Sequence, residues 1–221
     1  MTVIFENVVL SFPRIVEPEV NKSFPGSPAK YSANIILPKD FPKMADFMAE
    51  VNKLAAEKWK EHAAVILQMA MGNKKLRCFG PGEEVINTKT FAIYKGYEGN
   101  LYLSCASDRD HPPVVVKRDA NGLAQPTHDM ERQEAAKKFY GGCIVNVAVS
   151  PWLQDNAGGR AIRCNLHAIE FVRDGEPLGD GAAAGADIAS MFAGVAAPAP
   201  AAATGATPGA MAFPGMPSFL S

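Results

Sequence analysis

The stretch CIVNVAVSPWLQDNAGGRAIRCNLHAIEF, residues 143–171, carries the pattern that decides the fold. Cys143, Val145, Val147 and Val149 alternate with Ile144, Asn146, Ala148 and Ser150, giving one apolar and one mixed face at the two-residue period of a strand. DNAGG, residues 155–159, supplies the residues a turn needs. Beyond it Ile162, Cys164 and Leu166 share one face, and Arg163, Asn165 and His167 share the other. Ile169 and Phe171 fall on the opposite parity, so a bulge or sharp coil is expected near Ala168.

Outward from this pair the chain stays rich in β-signals. FAIY (91–94), LYLSCAS (101–107) and PVVVKR (113–118) read as short strands, with turns at KGYEGN and DANG. Residues 133–140 read as a short helix bearing Lys137 and Lys138. Upstream, VIFENVVLSF (3–12) and YSANIILP (31–38) are strand candidates, joined by an irregular connection marked by Pro13, Pro18, Pro25, Gly26 and Pro28. Asp40 is placed to cap a helix whose first turn holds Pro42. Met44, Phe47, Met48, Val51, Leu54, Ala55 and Trp59 recur at helical spacing, which makes a core-facing stripe rather than a cofactor site. AAVILQMAM (63–71) fits a continuing helix or a buried strand equally.

Short curved strands around one inserted helix fit a mainly β protein with one or two helices: an OB-fold-like Greek-key β-barrel over residues 1–178. A β-sandwich with an accessory helix fits the pattern nearly as well. Residues 179–221 are rich in Ala, Gly and Pro, contain no basic residue, and are expected to form a disordered tail. GDGAAAG (179–185) has neither the spacing nor the strand-to-helix context of a dinucleotide-binding loop.

The 221 residues, 48% of them hydrophobic, suffice for one core plus a tail. The 22 basic and 23 acidic side chains nearly cancel, but every Lys and Arg lies at or before Arg173. The body therefore carries +3, and Asp174, Glu176, Asp180 and Asp187 place −4 after it. That asymmetry points mildly to a polyanionic partner. Cys78, Cys105, Cys143 and Cys164 form no C-x-x-C pair and read as buried thiols of a reducing cytosol. With no signal peptide and no apolar run of the roughly 20 residues that span a bilayer, a soluble, intracellular protein without a membrane partner is expected.

No catalytic constellation emerges, so the expectation is a protein that is not an enzyme and needs no cofactor. Asp108, Arg109, Asp110 and His111 could be imagined on a metal, as a nuclease would require, but no second cluster completes such a site. His128, Asp129 and Glu131 share that weakness. Binding is better represented. Tyr94, Lys95, Tyr97 and Tyr102 interleave aromatic rings with a cation, and Arg109, Lys117 and Arg118 follow. Cations that neutralise phosphates beside rings that stack on bases are how single-stranded nucleic acid is held; tyrosines anchoring the rim of a barrel would look the same. Arg163, Asn165 and His167, with Trp152 and Arg160 nearby, form a second candidate face; an ordinary solvated strand face would look the same.

FENVVLSFPRIVEP, KYSANIILPKD and the EKW ending the helix are followed in order by YKGYEGNLYLSCASD, PVVVKRDANG, FYGGCIVNVAVSPW and IEFVRDGEPLG. This succession, covering residues 5–179, resembles a family of tailed-phage single-stranded DNA-binding proteins. The resemblance implies an OB-fold, sequence-independent binding of single-stranded DNA in phage replication or recombination, and the cytoplasm of an infected bacterial host as the setting. It also implies a homodimer, weaker duplex binding, and replication proteins recruited through an acidic tail. The tail departs from that pattern, with only Asp180 and Asp187 beyond Gly179, so electrostatic competition with DNA should be feeble. Ile188, Met191 and Phe192, with Phe213 and Phe219, offer apolar anchors for a partner instead. A structural or interaction protein that uses the barrel for oligomerisation is the alternative reading.

Overall fold

The computed structural model describes residues 1–20 and 26–179. Its first strand, β1 (Val3–Glu19), runs on through Pro13 and Pro18 instead of ending at Phe12. Register shifts fall between Phe5 and Val8, Ser11 and Arg14, and Arg14 and Glu19, and Asn7 and Phe12 take positive φ. Such irregularities accommodate proline and bend a strand sharply. The bent β1 pairs with β2 (Lys30–Pro38) along one edge and with β7 (Ile144–Asn156) along the other.

β2 continues to β4 (Asn100–Asp108), and β7 to β8 (Gly159–Arg173), both antiparallel. A parallel contact of Ala106 with Asn165 joins β4 to β8 and closes a five-stranded barrel. The expected bulge in β8 is present: Ala148 faces Ala168 but Val149 faces Leu166, leaving His167 as the extra residue. Three short strands extend the sheet: β3 (Phe79–Pro81) beside β4, and β5 (Val114–Arg118) with β6 (Ala124–Thr127) beside β8. Neither β3 nor β6 is expected from the sequence pattern.

Phe5, Leu10, Ile35, Leu103, Val147 and Leu166 belong to the buried core, each removed almost wholly from water. Full burial of one such side chain contributes about 1.5–3 kcal/mol. Helix α1 (Lys43–Trp59) packs against β1 and β7 through Phe47, Val51, Ala55 and Trp59, on the stripe its spacing predicted. Its end is fixed to β7, where the Trp59 indole N–H donates to Asp155 (3.0 Å) and the Lys58 ammonium to the Leu153 carbonyl (2.7 Å). The buried Glu50 carboxylate accepts from the N-terminal ammonium at 2.7 Å. Asp40 does not cap this helix: Pro42 occupies the N-cap and no side-chain bond is made there. Residues 63–71 are helical, in α2 (Ala63–Gly72), set off from α1 by a 3-10 turn at Lys60–His62. The third helix, α3 (Asp129–Ala136), starts four residues before its predicted position, and Lys137 is its C-cap. Arg132 ties it to the barrel by donating to the carbonyls of Pro113 (3.2 Å) and Ile15 (3.0 Å).

Candidate nucleic-acid interface

Between β3 and β4 the chain makes an excursion over the outer face of the sheet. Residues 91–94, expected as a strand, make only an isolated bridge, Ile86 to Ile93. Gly82 starts the excursion because nothing larger fits: a Cβ there would lie 1.9 Å from the Tyr97 carbonyl oxygen. Tyr97 is fully buried in a cluster with Ile36 and Tyr102, and Asn34 donates to its hydroxyl at 3.2 Å. Burial pushes both phenols above their ordinary value. Neither ring has a free face, which removes Tyr97 and Tyr102 from the stacking set expected from sequence. Tyr97 instead supports another ring: Phe12 lies 6.2 Å from it and meets Tyr94 edge-on at 4.9 Å.

Phe12 is 43% exposed and sits at φ +46°, a left-handed conformation that costs a residue with a Cβ roughly 1–2 kcal/mol. With Arg14, Tyr94, Lys95 and Tyr140 it lines a cleft of about 900 Å³. Phe12 and Arg14 escaped the sequence reading because FPR looked like the end of a strand. The signal was present in an aromatic ring and a guanidinium separated only by a strand-bending proline.

A strap of residues after β8 forms another wall. The Leu178 N–H donates to the Gly141 carbonyl (3.0 Å), and the Gly175 N–H to the Tyr140 hydroxyl (2.9 Å). Gly142, at φ +114°, lies so close that a Cβ would come within 2.0 Å of the Glu176 carbonyl oxygen, which accounts for a glycine immediately before Cys143. The strap places Glu176 on the Lys95 ammonium at 2.7 Å, and this pair lowers the glutamate's pKa from its ordinary value.

Through Arg14 the cleft is in register with outward residues of β2 and β4. Arg14, Ser32, Ala106 and Asn165 form one row across β1, β2, β4 and β8, and Ser11, Asn34 and Ser104 form the neighbouring row. At about 4.8 Å per strand, the Arg14 row leads within roughly 15 Å to a second cleft of about 340 Å³. Lys30, Ser104, Trp152, Arg163 and Asn165 line it. Trp152 and Arg163 are directly opposed across β7 and β8, and Trp152 is 37% exposed. The Arg163 guanidinium donates to Gln154 and to the Lys75 carbonyl, both at 3.1 Å, which orients it in the cleft wall. Small side chains thus floor a trough with an aromatic ring and cations at each end.

Three of its cations already hold an acid: Arg14 with Glu19 (3.0 Å), Lys30 with Asp108 (3.2 Å) and Lys95 with Glu176 (2.7 Å). Other expected contacts lie elsewhere. Lys117 pairs with Glu131 of α3, and Arg118 grips the buried Glu170 from outside β8, so neither lines the trough. Arg160 pairs with Asp155 at the tip of the β7–β8 hairpin. Arg109 is exposed in the turn after Asp108. Ile188, Met191, Phe192, Phe213 and Phe219 lie outside the described residues. Among those described, no three His, Cys, Asp or Glu side chains are grouped to hold a metal ion, and all four cysteines are free thiols, buried. Burial pushes the Cys143 thiol up to about 11, so it is not a nucleophile at neutral pH.

A five-stranded Greek-key barrel whose second and third strands carry an open, cation-flanked trough defines an OB-fold oligomer-binding module, for which that face is the usual binding surface. The chain belongs to the family described as Enterobacter phage Enc34, ssDNA-binding protein, whose model matches residues 1–195. It is 30% identical over 191 residues to protein p50 of Acyrthosiphon pisum secondary endosymbiont phage 1, covering 83% of this chain and 90% of that one. The fold is similar to that of the single-stranded DNA-binding protein from bacteriophage Enc34 in complex with ssDNA, with a TM-score of 0.61 at 21% identity. That match covers 80% of this chain and 89% of the other. A second structure of the Enc34 protein gives a TM-score of 0.52 over 85% and 89% of the two chains.

Proposed function

We propose that this protein binds single-stranded DNA without sequence preference, as a non-enzymatic factor in phage DNA replication or recombination. The observation that carries the reading is the trough across β2 and β4, with Phe12, Tyr94, Arg14 and Lys95 at one end and Trp152, Arg163 and Lys30 at the other. Bases stack on the exposed rings, the small floor admits the strand, and phosphates take the cations. A duplex, with its bases already stacked, gains only the electrostatic part. Weaker duplex binding, a homodimer, contacts with replication proteins through residues 179–221 and a setting in the host cytoplasm belong to the same reading. They rest on likeness to the family; no helix among the described residues is long and apolar enough to cross a membrane.

Each phosphate that binds Arg14, Lys30 or Lys95 displaces a resident carboxylate. Glu176→Gln is therefore expected to tighten binding of a labelled poly-dT oligonucleotide several-fold at low salt. It also steepens the log–log salt dependence by up to about 0.7, the value of one further phosphate contact. Glu176 has a lowered pKa while it faces Lys95, and that pKa returns towards the ordinary 4.5 once DNA takes the lysine. Binding then takes up a proton, so affinity rises as pH falls below about 4.5 and is flat above about pH 6. Titrations of wild type and Glu176→Gln at several pH values test this, since the variant should lack the Glu176 share of the rise. Unchanged affinity, salt slope and pH profile would show that Lys95 does not meet phosphate.

A further inference from the structure

Beside the first cleft the excursion projects a finger, residues 85–94, held by main-chain bonds from Tyr94 N–H to the Val85 carbonyl (3.1 Å) and from Asn87 N–H to the Ala92 carbonyl (2.9 Å). The Asn87 side-chain oxygen accepts from the N–H groups of Lys89 (2.9 Å) and Thr90 (3.3 Å), and the Phe91 N–H donates to the Asn87 carbonyl (2.8 Å). The tip is thus braced, and it presents Phe91 83% exposed at φ +58°. Glycine or asparagine would suit that backbone without strain, and a ring in water adds nothing to the core. Neither folding nor turn formation accounts for a phenylalanine here.

The surroundings do. Asn87, Thr90, Ala92 and Ile93 line the same cleft as Phe12, so Phe91 stands between cleft-lining neighbours, and it shares with Phe12 both exposure and a left-handed backbone. Strained residues concentrate at sites of function. From Val85 to Tyr97 the chain holds Lys89 and Lys95 and no acid. Exposed Ile86 and Ile93 face each other on the stem of the finger, while at its tip the amide, hydroxyl and ammonium groups of Asn87, Thr90 and Lys89 beside a bare ring suit a flat base on an anionic backbone. We infer that the finger is a second stacking element of the DNA site: Phe91 caps a base at the mouth of the cleft while Lys89 takes a neighbouring phosphate.

The inference rests on the proposed DNA binding and extends it to residues absent from the sequence-derived site. The test uses the full chain, a poly-dT oligonucleotide and an abasic oligonucleotide of equal length. Phe91→Ala is expected to lose about 5- to 20-fold in dT affinity, the lower part of the range for one stacked base, and to bind the abasic strand like wild type. Phe91→Gly should show the same loss with an equal or higher urea midpoint, because strain is relieved, which separates binding from folding. Phe91→Trp should retain affinity. Full dT affinity in Phe91→Ala would overturn the inference, as would equal losses on dT and abasic strands. A change in self-association with DNA affinity intact would assign the finger to a protein contact instead. Failure of wild type itself to bind dT would refute the DNA-binding reading, a separate outcome.

Discussion

Phe12→Ala and Tyr94→Ala are each expected to lower affinity for a poly-dT oligonucleotide by about 5- to 150-fold, corresponding to about 1–3 kcal/mol per stacked base. The two rings meet edge-on at 4.9 Å, so each removal also loosens the other, and the double variant should lose less than the product of the single losses. Neither ring belongs to the main core, and Phe12→Ala leaves the strained φ as it is. Thermal midpoints should therefore move little. Tyr97→Phe is the informative contrast. It keeps the supporting ring beneath Phe12 and removes only the hydroxyl bonded to Asn34, so binding should stay within about 3-fold of wild type. A large loss in Tyr97→Phe with none in Phe12→Ala would show that the stacking face is misplaced. Anisotropy titrations at fixed salt read all four variants.

Arg77→Met is expected to destabilise the protein by about 3–5 kcal/mol, the range for removing one partner of a buried pair. The Arg77 guanidinium is almost wholly buried, lies 2.6 Å from Glu84, and donates to the carbonyls of Phe79 and Met71. Methionine fills much of the volume but leaves a half-buried carboxylate and two carbonyls without their donor. For a chain of this size the melting temperature should fall by roughly 6–20 °C. Glu84 lies at the start of the excursion that carries Tyr94 and the finger, and Arg77 lines the second cleft. Two readouts suffice: a thermal melt for stability, and dT affinity measured well below the melt. Stability within 1 kcal/mol of wild type would mean that water replaces the guanidinium and that the pair does not anchor the excursion.

Much of the barrel was legible because its strands have one wet and one dry face. The alternation at Cys143, Val145, Val147 and Val149, and the parity change at Ile169, reflect the pleat of β7 and the extra residue in β8. β1 was cut short because proline usually ends a strand, whereas here bulges absorb Pro13. β3 and β6, three and four residues long, are too short to show a period. The site was harder to read for a different reason. YKGY pointed to the excursion, but sequence gives no sign of which ring the excursion folds under. Tyr97 and Tyr102 turned inwards, and Phe12 and Phe91, from segments read as strands, turned out. Lys117 and Arg118 were drawn in by nearness in sequence, although β5 lies beside β8 and their charges meet Glu131 and Glu170.

On the proposed function, the trough holds a single strand by its phosphates and its bases. Fluorescence anisotropy of labelled poly-dT, titrated at several salt concentrations beside a duplex of the same length, tests it most directly. Tight single-strand binding, much weaker duplex binding, and a log–log salt slope of about −0.7 for each phosphate engaged are expected. The slope should correspond to several contacts, reduced by the carboxylates that return to Arg14, Lys30 and Lys95 as DNA leaves. Absence of single-strand binding at low salt, or equal affinity for the duplex, would contradict the proposed function and favour an assembly role for the barrel.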